Sequence, residues 1–468
     1  MRLFVAVMVL MVVPMRPPKM PVSASSQRAE KAIALYDPNP AHIWNRLYDA
    51  LLIREDSAGA KYGAESLDPL LWLNSDHLLA EPSHQHALRI LDEFLQTHAE
   101  NQIHNPVKRA ILQHDLWAVF DWSVQQESLR QRPNYDKEKR ELQVRLAEVL
   151  RRLALTPEEI ASLTANYGQA VASGAFAREY DSAHPERAFL PPDLFDPQGP
   201  WVRISGTYYF GQQPVAIDHV VSVSGRSRFL VFVHLPGGRK ATLDYFRVLW
   251  NFPKPWVEFD AHGQTAVNPD LPQFPAGTQV ALLRQMTLFD NQGALAEAPI
   301  TESVQIRVYR SITTAGPDNP DVTSLTALAE RSGQIFYEIK LIRPQLFANQ
   351  AGGLTATAPD EIEFSTLRQQ GDDVFEWWIM NRNRRGSRES ALQQCAICHP
   401  GGGIKSLSSR AQLLRPNGAQ PDPQEGPADR RNKAAPRWWA SDETIFWKHD
   451  RYDWGLLNGY WRSSGRLP

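Results

Sequence analysis

Cys395, Cys398 and His399 form the pattern Cys-x-x-Cys-His near the C-terminus. Residues 388–399 contain neither glycine nor proline, which predicts a helix, and Pro400 with the three following glycines predicts its end. Residues three and four apart share one helix face, so both thiols and the imidazole would point the same way. This set suits covalent attachment of a prosthetic group with imidazole as a ligand, a redox disulfide, or a metal site.

The spacing resembles the haem attachment motif of c-type cytochromes. The resemblance implies one covalently attached haem c. Cys395 and Cys398 would form thioethers with its two vinyl groups, and His399 would be the proximal ligand of its iron. The resemblance covers only five residues, but these five include both cysteines of the 468-residue chain. Two cysteines exclude a disulfide framework and a four-cysteine zinc site.

The two other chemistries stay open at this point. A redox disulfide is the weaker one, because no βαβ pattern surrounds the motif. A metal site would need at least one further ligand beside the two cysteines and His399, and the sequence shows no evident candidate.

The second axial ligand departs from the pattern of small c-type cytochromes, which supply a methionine downstream of the motif. The last methionine here is Met380, fifteen residues before Cys395. His449 is the only histidine after His399, and the neighbouring Asp450 could orient its imidazole. We predict iron held by His399 and His449. Met380, a ligand from elsewhere in the chain and an open iron position are the alternatives.

The N-terminus predicts export. A short positive start precedes an apolar run, Leu3 to Val13, that is too short to cross a bilayer. Val22 and Ala24 place small residues at a cleavage site. We therefore expect a signal peptide over residues 1–24, a periplasmic protein and no stable membrane span after cleavage. In bacteria, haem is attached through this motif outside the cytoplasm, which agrees with export.

The elements that must position the motif divide into four expected regions of a multidomain α+β protein. Apolar residues recur at helical spacing over residues 27–190, and residues 156–159 predict a helix start with a capping box. Residues 200–313 are rich in β-branched and aromatic residues between turns, which predicts an antiparallel β-sandwich. Residues 314–360 are expected to be a mixed connection. Residues 361–468 are expected to be a small, mostly helical haem-binding segment.

Composition limits the function. The chain has 50 basic and 52 acidic residues, which argues against a nucleic-acid partner, and 43% hydrophobic residues exclude global disorder. We expect electron transfer with a redox partner protein, since the chain is much longer than a simple carrier needs to bury a haem. The alternatives are a peroxidase-like, haem-dependent oxidoreductase with an open iron site, or a haem-based sensor. The sequence predicts no catalytic residue.

Overall fold

The computed structural model describes most of the chain before residue 360 and parts of the chain after it. The described residues are 34–55, 61–65, 68–72, 75–125, 134–205, 214–258, 265–312, 333–359, 361, 392, 399, 402–408, 415–416 and 443–463. The predicted signal peptide, the predicted helix before His399 apart from Leu392, and residues Cys395, Cys398 and Met380 lie outside them.

The chain begins with helices and continues with strands that alternate with further helices, so the fold is α+β. The α-helices are α1 (Ile43–Leu52), α2 (Ser83–Gln96), α3 (Pro106–Gln125), α4 (Asp136–Leu153), α5 (Pro157–Ser162), α6 (Asn166–Ser173), α7 (Ile217–Ser222), α8 (Gly238–Trp250), α9 (Arg343–Phe347), α10 (Ile404–Ser408), α11 (Glu443–His449) and α12 (Tyr452–Ser463). Short 3-10 helices cover Pro69–Trp72, Ala99–Asn101 and Ala351–Gly353.

The strands form one large sheet and two small ones. They are β1 (Arg54–Glu55), β2 (Lys61–Tyr62), β3 (Val202–Ser205), β4 (Ser227–His234), β5 (Trp256–Glu258), β6 (Thr265–Val267), β7 (Gln279–Phe289), β8 (Leu295–Tyr309), β9 (Gln334–Leu341), β10 (Leu354–Ala356) and β11 (Arg415–Pro416). The large sheet is antiparallel in the order β10-β9-β8-β7-β4-β3-β11. β1 pairs with β2, and β5 with β6.

Local sequence rules account for several of these elements. The side chain of Thr156 accepts from the backbone N–H of Glu159, whose carboxylate accepts from the N–H of Thr156 in return, so the predicted capping box starts α5. In the hairpin between β7 and β8, one carboxylate oxygen of Asp290 accepts from the N–H groups of Gln292 and Ala294. Gly293 takes the left-handed conformation there, with φ of 79°.

The large sheet is covered by helices on one face and by α8 and α10 on the other. Apolar side chains of β4, β7, β8 and β9 share a continuous core with helices α1 to α6 and α12. Other side chains of β4, β7 and β8, together with β3, pack against Phe246, Leu249 and Ile404. Because both faces are covered, β4 is an almost unbroken apolar run.

The predicted β-sandwich over residues 200–313 differs from this arrangement. In the described part of that region the strands of the large sheet meet helices instead of a second facing sheet, and α7 and α8 lie within it. The alternation of apolar and polar residues in β8 fits a half-buried strand whether the sheet faces helices or a second sheet. The pattern alone therefore did not distinguish the two arrangements. Among the described residues, no helix combines the length and apolar composition needed to cross a bilayer.

Candidate functional site

The imidazole of His399 is hydrogen-bonded to the backbone of α10. Its Nδ1 lies 2.7 Å from the backbone carbonyl oxygen of Ser406, in α10. A carbonyl oxygen only accepts hydrogen bonds, so Nδ1 carries a proton, and in the neutral imidazole Nε2 then carries the lone pair. This is the tautomer in which a histidine binds a metal through Nε2 while a backbone carbonyl fixes its orientation.

Ser406 is itself fixed by strand β8. Its side chain is fully buried, and its hydroxyl donates to the carbonyl of Gly403 at 2.9 Å. The hydroxyl of Tyr309 lies 2.5 Å from Ser406 Oγ, and Arg307 Nη1 donates to the same atom at 3.3 Å. Since the serine proton goes to Gly403, the tyrosine acts as a donor. These bonds connect the orientation of His399 to the rigid sheet.

The glycine run after the motif lets α10 approach the sheet. Gly403 has a φ of 58°, in the left-handed region that side chains other than glycine rarely adopt. A Cβ at this position would collide with the side-chain oxygen of Gln273, which accepts from the backbone N–H of Ile404 at 3.0 Å. The glycine thus allows both the turn and the close contact that place α10 beside His399.

The structure brings His219 next to His399. The two ring centroids are 6.4 Å apart and the ring planes differ by 10°. His219 lies in α7, and its ring also packs against Phe229, with the centroids 5.3 Å apart. Burial lowers the pKa of His219 to about 4, and the nearby guanidinium of Arg307 acts in the same direction. The imidazole is therefore neutral at pH 7, as a metal ligand must be.

An apolar cluster borders His219. Val220, Val223 and Phe229 are buried, and Trp447 of α11 packs against them. The indole of Trp447 also lies close to Gly225, where an added Cβ would come within 3.0 Å of the ring. Phe229 of this cluster packs against the ring of His219.

Arg307 is a buried cation close to this pair. Its side chain bonds to Ser406, and its residue is only 9% exposed. Among the residues that the structure describes, no carboxylate lies within ion-pair distance of its guanidinium. A buried positive charge without a carboxylate partner is costly, so an anionic group of a ligand would stabilise it.

His449, the predicted second ligand, lies at the end of α11 with its side chain 58% exposed. Its Nδ1 is 3.5 Å from Asp450 Oδ1, so the expected aspartate neighbour is in place, but this carboxylate is also exposed. Among the predicted site residues, only His399 and His449 are described. In the described part of the chain, no group of three or more histidine, cysteine, aspartate or glutamate side chains is placed to hold a metal ion.

Sequence analysis missed His219, and it also missed a network of buried charges. Lys448 is fully buried, and its Nζ lies 2.8 Å from Asp121 Oδ2 and 3.0 Å from Asp453 Oδ2. Arg226 donates to both oxygens of Asp68. Asp121 stands in a long apolar stretch of α3, which was a signal for a buried carboxylate. The charged surroundings of Lys448 gave no such signal.

Comparison with family models, curated proteins and solved structures finds no match to this chain.

Proposed function

We propose that this chain is an exported protein with one covalently attached haem c that works in electron transfer with a redox partner protein. Cys395 and Cys398 would hold the haem through thioethers, and His399 would be the proximal ligand. The observation that carries the proposal is the Cys-x-x-Cys-His motif whose histidine has its Nδ1 proton directed to a backbone carbonyl.

The described residues around His399 fit such a group. The carbonyl of Ser406 selects the tautomer that presents Nε2 to a metal, and the hydrogen bond increases the basicity of the imidazole. Haem carries two propionates, and the buried guanidinium of Arg307 would donate charge-assisted hydrogen bonds to one of them. Val220, Val223 and Trp447 offer an apolar wall.

Haem iron, when bound, supplies a one-electron redox couple. The protein residues set its conditions. Ser406, through Tyr309 and Arg307, restrains the imidazole of His399 and so limits its reorientation when the iron charge changes. Apolar side chains near His219 exclude water, which favours the less charged, reduced state of the iron.

The covalent attachment is tested on protein expressed together with haem-maturation machinery. We expect haem to stay with the denatured chain through solvent extraction and to give a peroxidase stain on a denaturing gel. Cys398→Ala should strongly reduce the stain, because one thioether is lost. His98→Ala, which changes a 68% exposed histidine far from the motif, is the matched control and should stain as the wild type does. Extractable haem, or none, would contradict the proposal.

The spectrum of the attached haem tests electron transfer. A six-coordinate low-spin iron supports it, because both axial positions are then filled and little rearrangement accompanies a change of charge. A five-coordinate high-spin iron would contradict it and would favour the peroxidase-like oxidoreductase or the sensor.

Export is tested by locating the mature protein. We expect a periplasmic chain that starts near Ser25, since Val22 and Ala24 satisfy the small-residue rule for cleavage. N-terminal sequencing of the periplasmic fraction decides this. An intact Met1 in the membrane fraction would instead indicate an uncleaved anchor.

A further inference from the structure

The pair formed by His219 and His399 joins two distant parts of the chain at one point. His399 directs its Nδ1 to Ser406, and the ring of His219 is nearly parallel to it, with 6.4 Å between the centroids. His219 is held by α7 and by its contact with Phe229. Each ring is thus positioned by its own element.

The separation of the rings distinguishes two coordination geometries. Two iron–nitrogen bonds of about 2 Å in line with each other would place the centroids of two axial imidazoles about 6 Å apart. A tetrahedral metal would draw the same rings to about 5 Å, because its ligand directions are bent. The observed 6.4 Å is closer to the in-line value than to the tetrahedral one.

A displaced aromatic pair would also have near-parallel rings, with centroids about 4.5–7 Å apart. Two facts favour a shared metal. His399 is the histidine of the attachment motif, and its hydrogen bond to Ser406 leaves the lone pair on Nε2. His219 is accompanied by a buried cation, Arg307, which suits an anionic cofactor better than it suits a simple packing pair.

The exposure of the candidates separates His219 from His449. A second axial ligand must lie under the haem plane, where the side chain is covered. His449 is 58% exposed at a helix end. His219 is partly buried among apolar side chains and already lies beside the proximal histidine.

We infer that His219 is the second axial ligand of the haem iron, opposite His399. The inference rests on the proposed function, since it needs the haem to be present. It makes the iron six-coordinate through two histidines that are 180 residues apart in the sequence. The distal ligand comes from the region of the large sheet, so the haem would join the C-terminal segment to it.

The test compares optical spectra of the wild type, His219→Ala and His449→Ala, each first shown by gel stain to carry covalent haem. We expect a low-spin wild type that does not bind carbon monoxide. His219→Ala should lose the low-spin spectrum and bind one equivalent of carbon monoxide, and added imidazole should restore the low-spin state. His449→Ala is the control and should match the wild type.

A second variant covers the case in which His219→Ala folds poorly. His219→Met keeps a side chain that can bind iron, so it should stay low-spin with a higher reduction potential. Electron paramagnetic resonance of the wild type adds a test without mutation. Near-parallel imidazole planes should give a rhombic low-spin signal, and perpendicular planes a highly anisotropic one.

The outcomes separate the two proposals. If the wild type carries no covalent haem, the proposed function fails. If covalent haem is present but His219→Ala remains low-spin and closed to carbon monoxide, the axial assignment is wrong while the haem proposal stands. A loss of the low-spin state in His449→Ala alone would overturn the assignment in favour of His449.

Discussion

The buried ammonium of Lys448 should contribute strongly to stability, and Lys448→Met tests this. Lys448 is fully buried between the carboxylates of Asp121 and Asp453, at 2.8 and 3.0 Å. Methionine keeps most of the side-chain volume but removes the charge. Two charge-assisted hydrogen bonds contribute about 1.5–3 kcal/mol each. Breaking one side of a buried pair costs about 3–5 kcal/mol, because a buried charge is left without compensation.

The loss of stability in Lys448→Met should be larger at higher pH. Burial raises the pKa of Asp121 to about 7, Asp453 acts in the same direction, and Lys448 opposes both. Removing Lys448 raises this pKa further. A carboxyl group with a higher pKa in the folded state than in the unfolded state binds more protons when folded, so stability falls as the pH rises. We expect Lys448→Met to be less stable at pH 8 than at pH 6.

Urea unfolding followed by tryptophan fluorescence measures both effects. Lys240→Met is the matched control, because Lys240 is 89% exposed in a surface pair with Asp244 and should leave the unfolding free energy nearly unchanged. Asp453→Asn added to Lys448→Met should recover about 1–2 kcal/mol, since one stranded carboxylate becomes neutral. A loss below about 1 kcal/mol, or equal losses at both pH values, would refute the reasoning.

Four further changes follow from single contacts. Asn166→Ala should cost about 3 kcal/mol of unfolding free energy in urea, because three buried hydrogen bonds to backbone groups disappear. Asp115→Asn should flatten the loss of stability below about pH 4 in acid titration, since the guanidinium of Arg343 lowers the pKa of this buried carboxyl and that stabilisation is lost on protonation. Gly403→Ala should cost at least about 1–2 kcal/mol in urea, from the left-handed backbone alone. Arg307→Gln should lower the reduction potential of the attached haem by about 60 mV or less in a redox titration, because a nearby positive charge is lost.

Matched controls exist for two of these changes. Gly459 lies in helix α12 with open space around it, so Gly459→Ala should stabilise the protein slightly. Arg247→Gln removes a 70% exposed guanidinium and should leave the potential unchanged. A destabilising Gly459→Ala, or equal shifts of potential in the two arginine variants, would contradict these predictions.

Elements governed by local rules could be predicted from the sequence. The capping box of residues 156–159 starts a helix through hydrogen bonds between neighbouring residues. The buried apolar residues of α4 recur with the period of a helix. Within the region predicted to be rich in strands, residues 227–234 and 295–309 are strands. In each case the neighbours along the chain decide the conformation.

Features that depend on distant partners could not be predicted in this way. α8 was missed because its aromatic and β-branched residues resemble those of the strands around it, and its packing against the sheet decides its conformation. Strand β9 lies in a region expected to be mixed, and it is formed by pairing with β8. The contact between His219 and His399 joins residues that no periodicity relates.

The sequence identified residues of the candidate site but not their surroundings. The motif gave His399, and its tautomer became visible only with the carbonyl of Ser406. His449 was predicted as the second iron ligand because it is the only histidine after His399. From the sequence, only its separation along the chain could be used to judge whether it reaches the iron. Lys448 is paired with Asp121, which lies more than three hundred residues away in the sequence, so no neighbour along the chain indicates this pairing.

The tryptophans of α12 complete a core that the N-terminal helices begin. Trp454 packs against Trp117 of α3, and Trp461 donates its indole N–H to the carbonyl of Ala147 in α4. A chain that emerges N-terminus first must therefore expose residues 395–399 before this core can close. Attachment enzymes would then meet the two thiols on an incompletely folded chain. Under the proposed haem attachment, the thiols would be open to modification until α12 packs against α3 and α4.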